Sequence, residues 1–429
     1  MTLVLVVLFG LMLLGIPVAF AILSAGMAYL ATTGGSMLVV AQRLIYGLNS
    51  FTLLAVPLFI LVGNLMDFGG ISKRLTDWAK SILGWLPGGL GIVTVFSCAI
   101  FAALTGSGPA TVAAIGSIML PSMLKAGYSR ETSAGLVASA GALGPIIPPS
   151  IPMIIYGVTM NLSIPAMFMA GGVPGLVIAL ALSLVNVVFA YRNPEVLKHA
   201  KTMKFDFKES MKLFWKALGA LGLPVLILGG IYGGIFTPTE SAAVGIVYAL
   251  ILGFALKELK VKDLPKILIN SLKTSTMVNF IIAAASLFSW VVSKSQIGIV
   301  ISNAFISFVG GSQALYLFVL VVVLLIVGCL MDNVAATLIL APILIPVGIA
   351  LGCNELHIGM LFCICLVVGF VTPPFGYNLF TAVSISGLNF KQIVKGALPF
   401  LLTEILLLFV FAYVPGIITW LPRLMGYGY

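Results

Sequence analysis

Apolar runs dominate the chain, and they leave too few charges to clothe a water-soluble surface. They cover roughly 3–31, 51–66, 86–104, 134–156, 164–191, 218–235 and 242–256, then 277–292, 314–331, 335–351, 358–380 and 397–421. Several are about 20 residues long, the length that crosses a hydrocarbon core of about 30 Å. Only 8% of the 429 residues are charged and 61% are hydrophobic, whereas soluble domains carry about 25% charged residues. The sequence therefore predicts an all-α polytopic membrane protein. It excludes a secreted disulfide scaffold and most soluble enzymes. The first twenty residues are apolar without a basic leader, and read as a retained first span.

The net charge of +10 does not point to nucleic acid. Twelve of the 22 Lys and Arg residues fall between Arg192 and Lys273, separated by apolar runs. That is the pattern of cytoplasmic loops, and no basic patch is interleaved with exposed aromatics. The five cysteines lie in or beside apolar runs, at no metal-ligand spacing, and read as small hydrophobes.

Glycine and proline repeat at a fixed offset of 225 residues. Pro121, Gly127, Leu136, Gly144, Pro148 and Pro149 match Pro346, Gly352, Leu361, Gly369, Pro373 and Pro374. Five of these six pairs are Gly or Pro, the residues that decide backbone shape. We read a first repeat over about 36–191, with a hairpin at 86–124 and a broken helix at 134–156. The second covers about 257–421, with a hairpin at 314–351 and a broken helix at 358–380. A linking arm and spans occupy 192–256, and the whole chain, 1–429, forms one membrane unit. Basic clusters at Lys73–Lys80 and Lys125–Arg130 put both ends of the first hairpin in the cytoplasm. Lys257–Lys273 and Lys391–Lys395 make the second hairpin enter from outside, as inverted repeats require.

Four stretches carry chemistry. Thr105-Gly-Ser107-Gly-Pro-Ala-Thr111 forms the first tip, either a small-residue packing motif or a site where a helix N-terminus meets a carboxylate and unwound carbonyls meet Na⁺. Gly141-Ala-Leu-Gly144-Pro-Ile-Ile147-Pro148-Pro149-Ser150 places three prolines inside a span, which no intact helix tolerates. The carbonyls freed there must face protein, water or an ion. Gly328-Cys-Leu-Met-Asp332-Asn333 and Gly369-Phe-Val-Thr372-Pro373-Pro374 repeat the design. Asp332 sits between apolar runs, where a carboxylate is expensive and usually functional, although a loop aspartate at the membrane edge is the plainer alternative. Glu240 reads as a helix cap, and Glu404, near a span centre, has no assigned role. The basic stretch 204–216 reads as an amphipathic segment on the cytoplasmic interface. The two histidines form no catalytic pairing, so the chain is expected not to be an enzyme.

Together with Gly127-Tyr128, Gly234-Ile-Phe-Thr-Pro-Thr-Glu-Ser-Ala-Ala243, Met331-Asp-Asn and Thr372-Pro-Pro-Phe-Gly376, these motifs resemble the large membrane subunit of tripartite ATP-independent periplasmic (TRAP) transporters. The resemblance runs along nearly the whole chain. It implies an inverted-repeat elevator fold, with two re-entrant hairpins and two broken helices carried by a scaffold. It implies import of an organic acid anion across the bacterial inner membrane, coupled to two or more Na⁺ ions. The implied partners are a separate four-helix membrane subunit and a periplasmic substrate-binding protein. Carried over residue by residue, one Na⁺ site would use Thr105, Gly144, Ile147 and Pro148. The other would use Gly328, Gly369, Thr372 and Phe375, with Asp332 close by. The cargo would lie near Thr105, Ser107, Ser150 and Asn333. Cargoes of the C4-dicarboxylate and sialic-acid types are implied, and the Gly-Ser tip and Pro-Pro-Ser resemble the sialic-acid branch. A stand-alone Na⁺/dicarboxylate carrier of the same fold is the rival reading.

Overall fold

A computed structural model describes residues 2–428; Met1 and Tyr429, the ends of the expected single unit, lie outside the described residues. Among the described residues the chain is all helical. Its helices are α1 (Thr2–Leu13), α2 (Val18–Thr33), α3 (Leu38–Leu48), α4 (Ala55–Phe68), α5 (Ile71–Leu83), α6 (Gly89–Thr105), α7 (Gly108–Lys125), α8 (Arg130–Ala140), α9 (Ile151–Met160) and α10 (Ile164–Tyr191). They continue with α11 (Pro194–Thr202), α12 (Phe207–Tyr232), α13 (Pro238–Ala255), α14 (Leu264–Lys294), α15 (Ile297–Phe308) and α16 (Gln313–Leu330). The last are α17 (Asn333–Ala350), α18 (Glu355–Gly369), α19 (Tyr377–Ser386), α20 (Phe390–Tyr413) and α21 (Gly416–Leu424). Eight helices among the described residues are long and apolar enough to cross a bilayer. The protein is a multi-pass membrane protein.

One sequence of shapes occurs twice. Two helices joined by a tight turn are followed by a helix that stops, unwinds and restarts. In the first case these are α6, α7 and the pair α8/α9; in the second, α16, α17 and α18/α19. The turns form for local reasons. Gly106 takes the left-handed conformation at φ 59° and closes α6, where a side chain would be strained. Asp332 caps α17, accepting a 2.8 Å hydrogen bond from the Val334 amide. Each break contains a Pro-Pro pair joined by a cis peptide, Pro148–Pro149 and Pro373–Pro374.

The halves of the broken helices are exchanged. Helix α9 packs on α17 and α18, whereas α19 packs on α7 and α8. At the first crossing Tyr156 lies 5.6 Å from the Phe362 ring, and a methyl on Gly359 would come within 2.6 Å of Tyr156. At the second, Asn378 donates a 3.1 Å hydrogen bond to the Ala138 carbonyl. A separate group, α2, α3, α4, α12, α13 and α14, packs largely on itself and touches the hairpins through α4 and α12 against α6 and α14 against α17, with α5 lying between α12 and the first hairpin.

Four expectations change. The first twenty residues, within the apolar run 3–31, are not one span: α1 ends at Leu13 and α2 begins at Val18, because Gly15 turns the chain at φ 79° and Pro17 cannot continue a helix. The stretch 204–216 is not separate from the apolar run 218–235. From Phe207 it is the first part of α12, which runs on unbroken to Tyr232. Likewise α14 begins at Leu264, inside the expected basic loop. Lysine is a good helix former, so a helix continues past the point where hydropathy falls. The run 397–421 also divides, between α20 and α21 at Val414–Pro415.

Candidate functional site

Each turn lies against the break of its own repeat, backbone to backbone. A methyl on Gly144 would sit 2.6 Å from the Ser107 carbonyl oxygen and 3.0 Å from the Gly108 nitrogen. In the second repeat a methyl on Gly328 would lie 2.7 Å from the Leu366 carbonyl oxygen and 3.2 Å from the Gly369 Cα. A methyl on Gly369 would collide with the Gly328 backbone. Only glycine permits either approach, and real Cβ atoms do not come that close. The offset of 225 therefore marks paired contacts.

The carbonyls at both seams are left over. Among the described residues those of Gly144, Ile146, Ile147, Pro148 and Pro149 accept no hydrogen bond, nor do those of Val371, Thr372, Pro373, Pro374 and Phe375. Thr105 and Gly106 at one helix end, and Cys329 and Leu330 at the other, leave their carbonyls equally unused. Unpaired carbonyls at membrane depth need protein, water or a cation. These oxygens suit a small hard cation. Among the described residues no cluster of three His, Cys, Asp or Glu side chains accompanies them.

Between the two turns lies a cavity of about 360 Å³. Its walls are Thr105–Ala110 of the first turn, Asp332–Val334 of the second, Pro145, Ile151, Pro152, Phe370 and Tyr377 beside the breaks, and faces of α4 and α14. The N-termini of α7 and α17 open onto it through Gly108 and Asn333. Such ends carry partial positive charge and favour an anion. Asn333 is 2% exposed, and neither its amide nitrogen nor its oxygen has a partner. A buried amide left unpaired costs about 1–3 kcal/mol, so its presence at a cavity wall asks for a ligand.

The expected site residues divide into two sets. Thr105, Ser107, Asp332 and Asn333 line the cavity. Thr105 donates to the Phe101 carbonyl at 3.3 Å and meets the Thr111 hydroxyl at 3.3 Å. Ser150 is fully buried behind the cavity wall; its hydroxyl caps α9 and donates to the Pro145 carbonyl. Gly144 and Pro148, both buried, and half-buried Ile147 stand at the first seam, with Gly328 and Gly369 at the second. The Thr372 hydroxyl donates 3.0 Å to the Val368 carbonyl, and the Phe375 side chain is 53% exposed, away from the cavity. Asp332 is a helix cap and a cavity residue at once. Glu240 is a cap alone, closing a capping box with Thr237.

Sequence reasoning passed over the α4 and α14 wall. Asn64, Asp67 and Thr274 line the cavity, and Asn64 donates 2.8 Å to the Ser271 hydroxyl. The available signal was a pair of polar residues three apart at the end of an apolar helix, hence on one face. At the base of the first hairpin, Lys80 of α5 donates 3.0 Å to the Ser122 hydroxyl. Burial pulls the Lys80 ammonium below the usual lysine range, opposed by nearby Asp77 and aided by Lys73.

Known proteins match over nearly the whole chain. Residues 5–417 fit the family described as "Tripartite ATP-independent periplasmic transporter, DctM component". The C4-dicarboxylate TRAP transporter large permease protein of Pseudomonas aeruginosa is 39% identical over 405 residues, 94% of each chain. The sialic acid TRAP transporter large permease protein of Vibrio cholerae is 34% identical over 98% of each chain. Among solved structures, the Alcanivorax borkumensis YdaH transporter aligns with a TM-score of 0.62 at 14% identity, over 91% of this chain and 89% of its own. That likeness is one of fold.

Proposed function

Because the chain belongs to the DctM component family of tripartite ATP-independent periplasmic transporters, we propose that it imports a small organic acid anion across the bacterial inner membrane, driven by Na⁺. It is the large permease subunit, working with a small membrane subunit and a periplasmic binding protein. It is a carrier and not an enzyme. The observation that carries this reading is the pairing of each hairpin turn with its own unwound helix around a shared cavity. One Na⁺ sits at each seam: at Thr105, Gly144, Ile147 and Pro148, and at Gly328, Gly369, Thr372 and Phe375. The carbonyls left unused there support this assignment. The anion lies between the helix ends at Ser107 and Asn333, with Ser150 fixing the wall behind. Its charge is met by the two helix ends and the neighbouring Na⁺. The C4-dicarboxylate class is favoured over sialic acid, following the higher identity of the relative named for it.

Transport proceeds as an elevator, in which hairpins and broken helices move together past α4 and α14. Binding of Na⁺ joins turn to break and completes the anion site, so that empty and fully loaded forms cross more readily than a form holding the anion alone. The test is uptake of labelled succinate, then of labelled sialic acid, into liposomes holding this chain with its small subunit. Import is expected only with an inward Na⁺ gradient and loaded binding protein present. Robust uptake by this chain alone would establish the stand-alone carrier instead.

A further inference from the structure

The cavity has no basic wall. Among its lining residues there is no Lys, Arg or His, and two carboxylates, Asp332 and Asp67, face it from opposite sides. Asp332 is tied to the Val334 amide and travels with its hairpin. Asp67 belongs to α4 and is exposed, and its carboxylate takes no hydrogen bond or ion pair among the described residues. The nearby ion pair joins Arg74 to Glu258 at 2.9 Å. Asp67 therefore presents a bare negative charge to the place where an anionic cargo would sit.

Its position along α4 gives that charge a direction. Asp67 is the next-to-last residue of α4, six and seven residues before Lys73 and Arg74 of α5, and Thr274, opposite on α14, follows Lys262, Lys266 and Lys273. Basic residues mark the cytoplasmic ends of both helices. The cavity thus extends to the cytoplasmic end of the fixed wall. Gly63, one turn earlier on α4, holds the first turn against that wall, since a methyl there would lie 3.1 Å from the Thr105 Cα.

We infer that Asp67 is an expulsion residue: a fixed carboxylate that weakens the hold on an anionic cargo when the cavity faces the cytoplasm, and so hastens its release. The inference rests on the proposed function, because only a carrier whose hairpins move past a fixed wall meets Asp67 in one state and leaves it in the other. It differs from the Na⁺ assignments, in which Asp67 has no part. Two like charges across a wet cavity repel enough to change an affinity by roughly two- to fivefold.

The charge is read first, without any cargo. All five native cysteines are buried and are replaced, and Ala113→Cys places a thiol at an exposed position of the cavity wall. Its rates of reaction with sulfonatoethyl and trimethylammonioethyl methanethiosulfonate give a ratio that reports the local potential. Asp67→Asn is expected to raise the anionic-to-cationic ratio by roughly four- to twenty-five-fold, since the two reagents respond oppositely. Thr274→Asp should lower it, and Asp67→Glu should leave it alone. Release is read in liposomes holding the complex, as the internal succinate that half-inhibits uptake. Asp67→Asn should lower that concentration roughly two- to fivefold with external Na⁺ dependence unchanged. An unmoved reagent ratio overturns the inference, and so does a moved ratio with unmoved internal inhibition. A wild type that imports neither acid refutes the carrier reading instead, while the reagent ratio still decides whether Asp67 charges the cavity.

Discussion

Gly144→Ala is the sharpest perturbation this structure allows, because it adds one carbon and alters no charge. Gly144 has φ −49° and ψ −59°, a conformation any residue adopts, so the backbone itself does not object to alanine. The objection is spatial. The new methyl would stand 2.6 Å from the Ser107 carbonyl oxygen and 2.7 Å from its carbonyl carbon. Both belong to backbone at a helix start, which cannot rotate aside as a side chain would. The turn must therefore withdraw from the break by a few tenths of an ångström or more. Overpacking of this kind costs about 1–3 kcal/mol. If that cost falls wholly on the closed, ion-bound arrangement, Na⁺ affinity drops by roughly five- to 150-fold. The assay is uptake against Na⁺ concentration at matched expression, with thermal unfolding of the purified protein alongside. Gly369→Ala, which meets the Gly328 backbone, should give the same phenotype from the second repeat. Gly229→Ala has no atom within 4 Å, sits within α12 and should leave Na⁺ dependence unchanged. If Gly144→Ala transports with wild-type Na⁺ dependence, the turn-to-break seam is not where the ion binds.

Three further substitutions probe two carboxylates, Asp332 and Glu404. Asp332→Asn keeps a residue able to cap α17 but removes the charge beside the second seam, so it should fold normally and need about ten times more Na⁺ for half-maximal uptake, a loss of about 1.4 kcal/mol; an unchanged Na⁺ dependence would make Asp332 a cap alone. Glu404 is 1% exposed on the inner stripe of α20, and neither carboxyl oxygen has a partner. Glu404→Leu should therefore raise the unfolding midpoint by removing a penalty of about 1–3 kcal/mol, while Glu404→Gln, which leaves an amide equally unpaired, should not. A destabilised leucine variant would show that Glu404 has a partner in the working protein.

The two turns and two breaks were legible because glycine and proline write backbone shape into the sequence directly. Gly106, Gly144, Pro148, Pro149 and their counterparts dictate where a helix must stop, whatever it packs against. Where α12 and α14 begin was not legible, since a basic, amphipathic segment can be a loop, a surface helix or the end of a span with the same hydropathy. The split of 3–31 was signalled by Gly15 and Pro17, but the length of the apolar run outweighed them. The scaffold side of the cavity was hidden for another reason. Asn64, Asp67 and Thr274 become neighbours of the turns only through packing between elements far apart in the chain. Asn378 is the extreme case: it binds the Ala138 carbonyl 240 positions away, and no local pattern announces such a pairing.

The exchange of α9 and α19 between the repeats sets a limit on how this chain can be divided. Each repeat builds its own turn and first half-helix, then sends its second half-helix to complete the other's packing. A fragment holding one repeat would expose the groove that its missing sister fills, and would carry a half-helix with nowhere to lie. Neither fragment is a miniature of the whole, and neither owns a finished interior. The symmetry resembles that of two clasped hands: the grip belongs to the pair, and cutting the cord between the wrists does not release it.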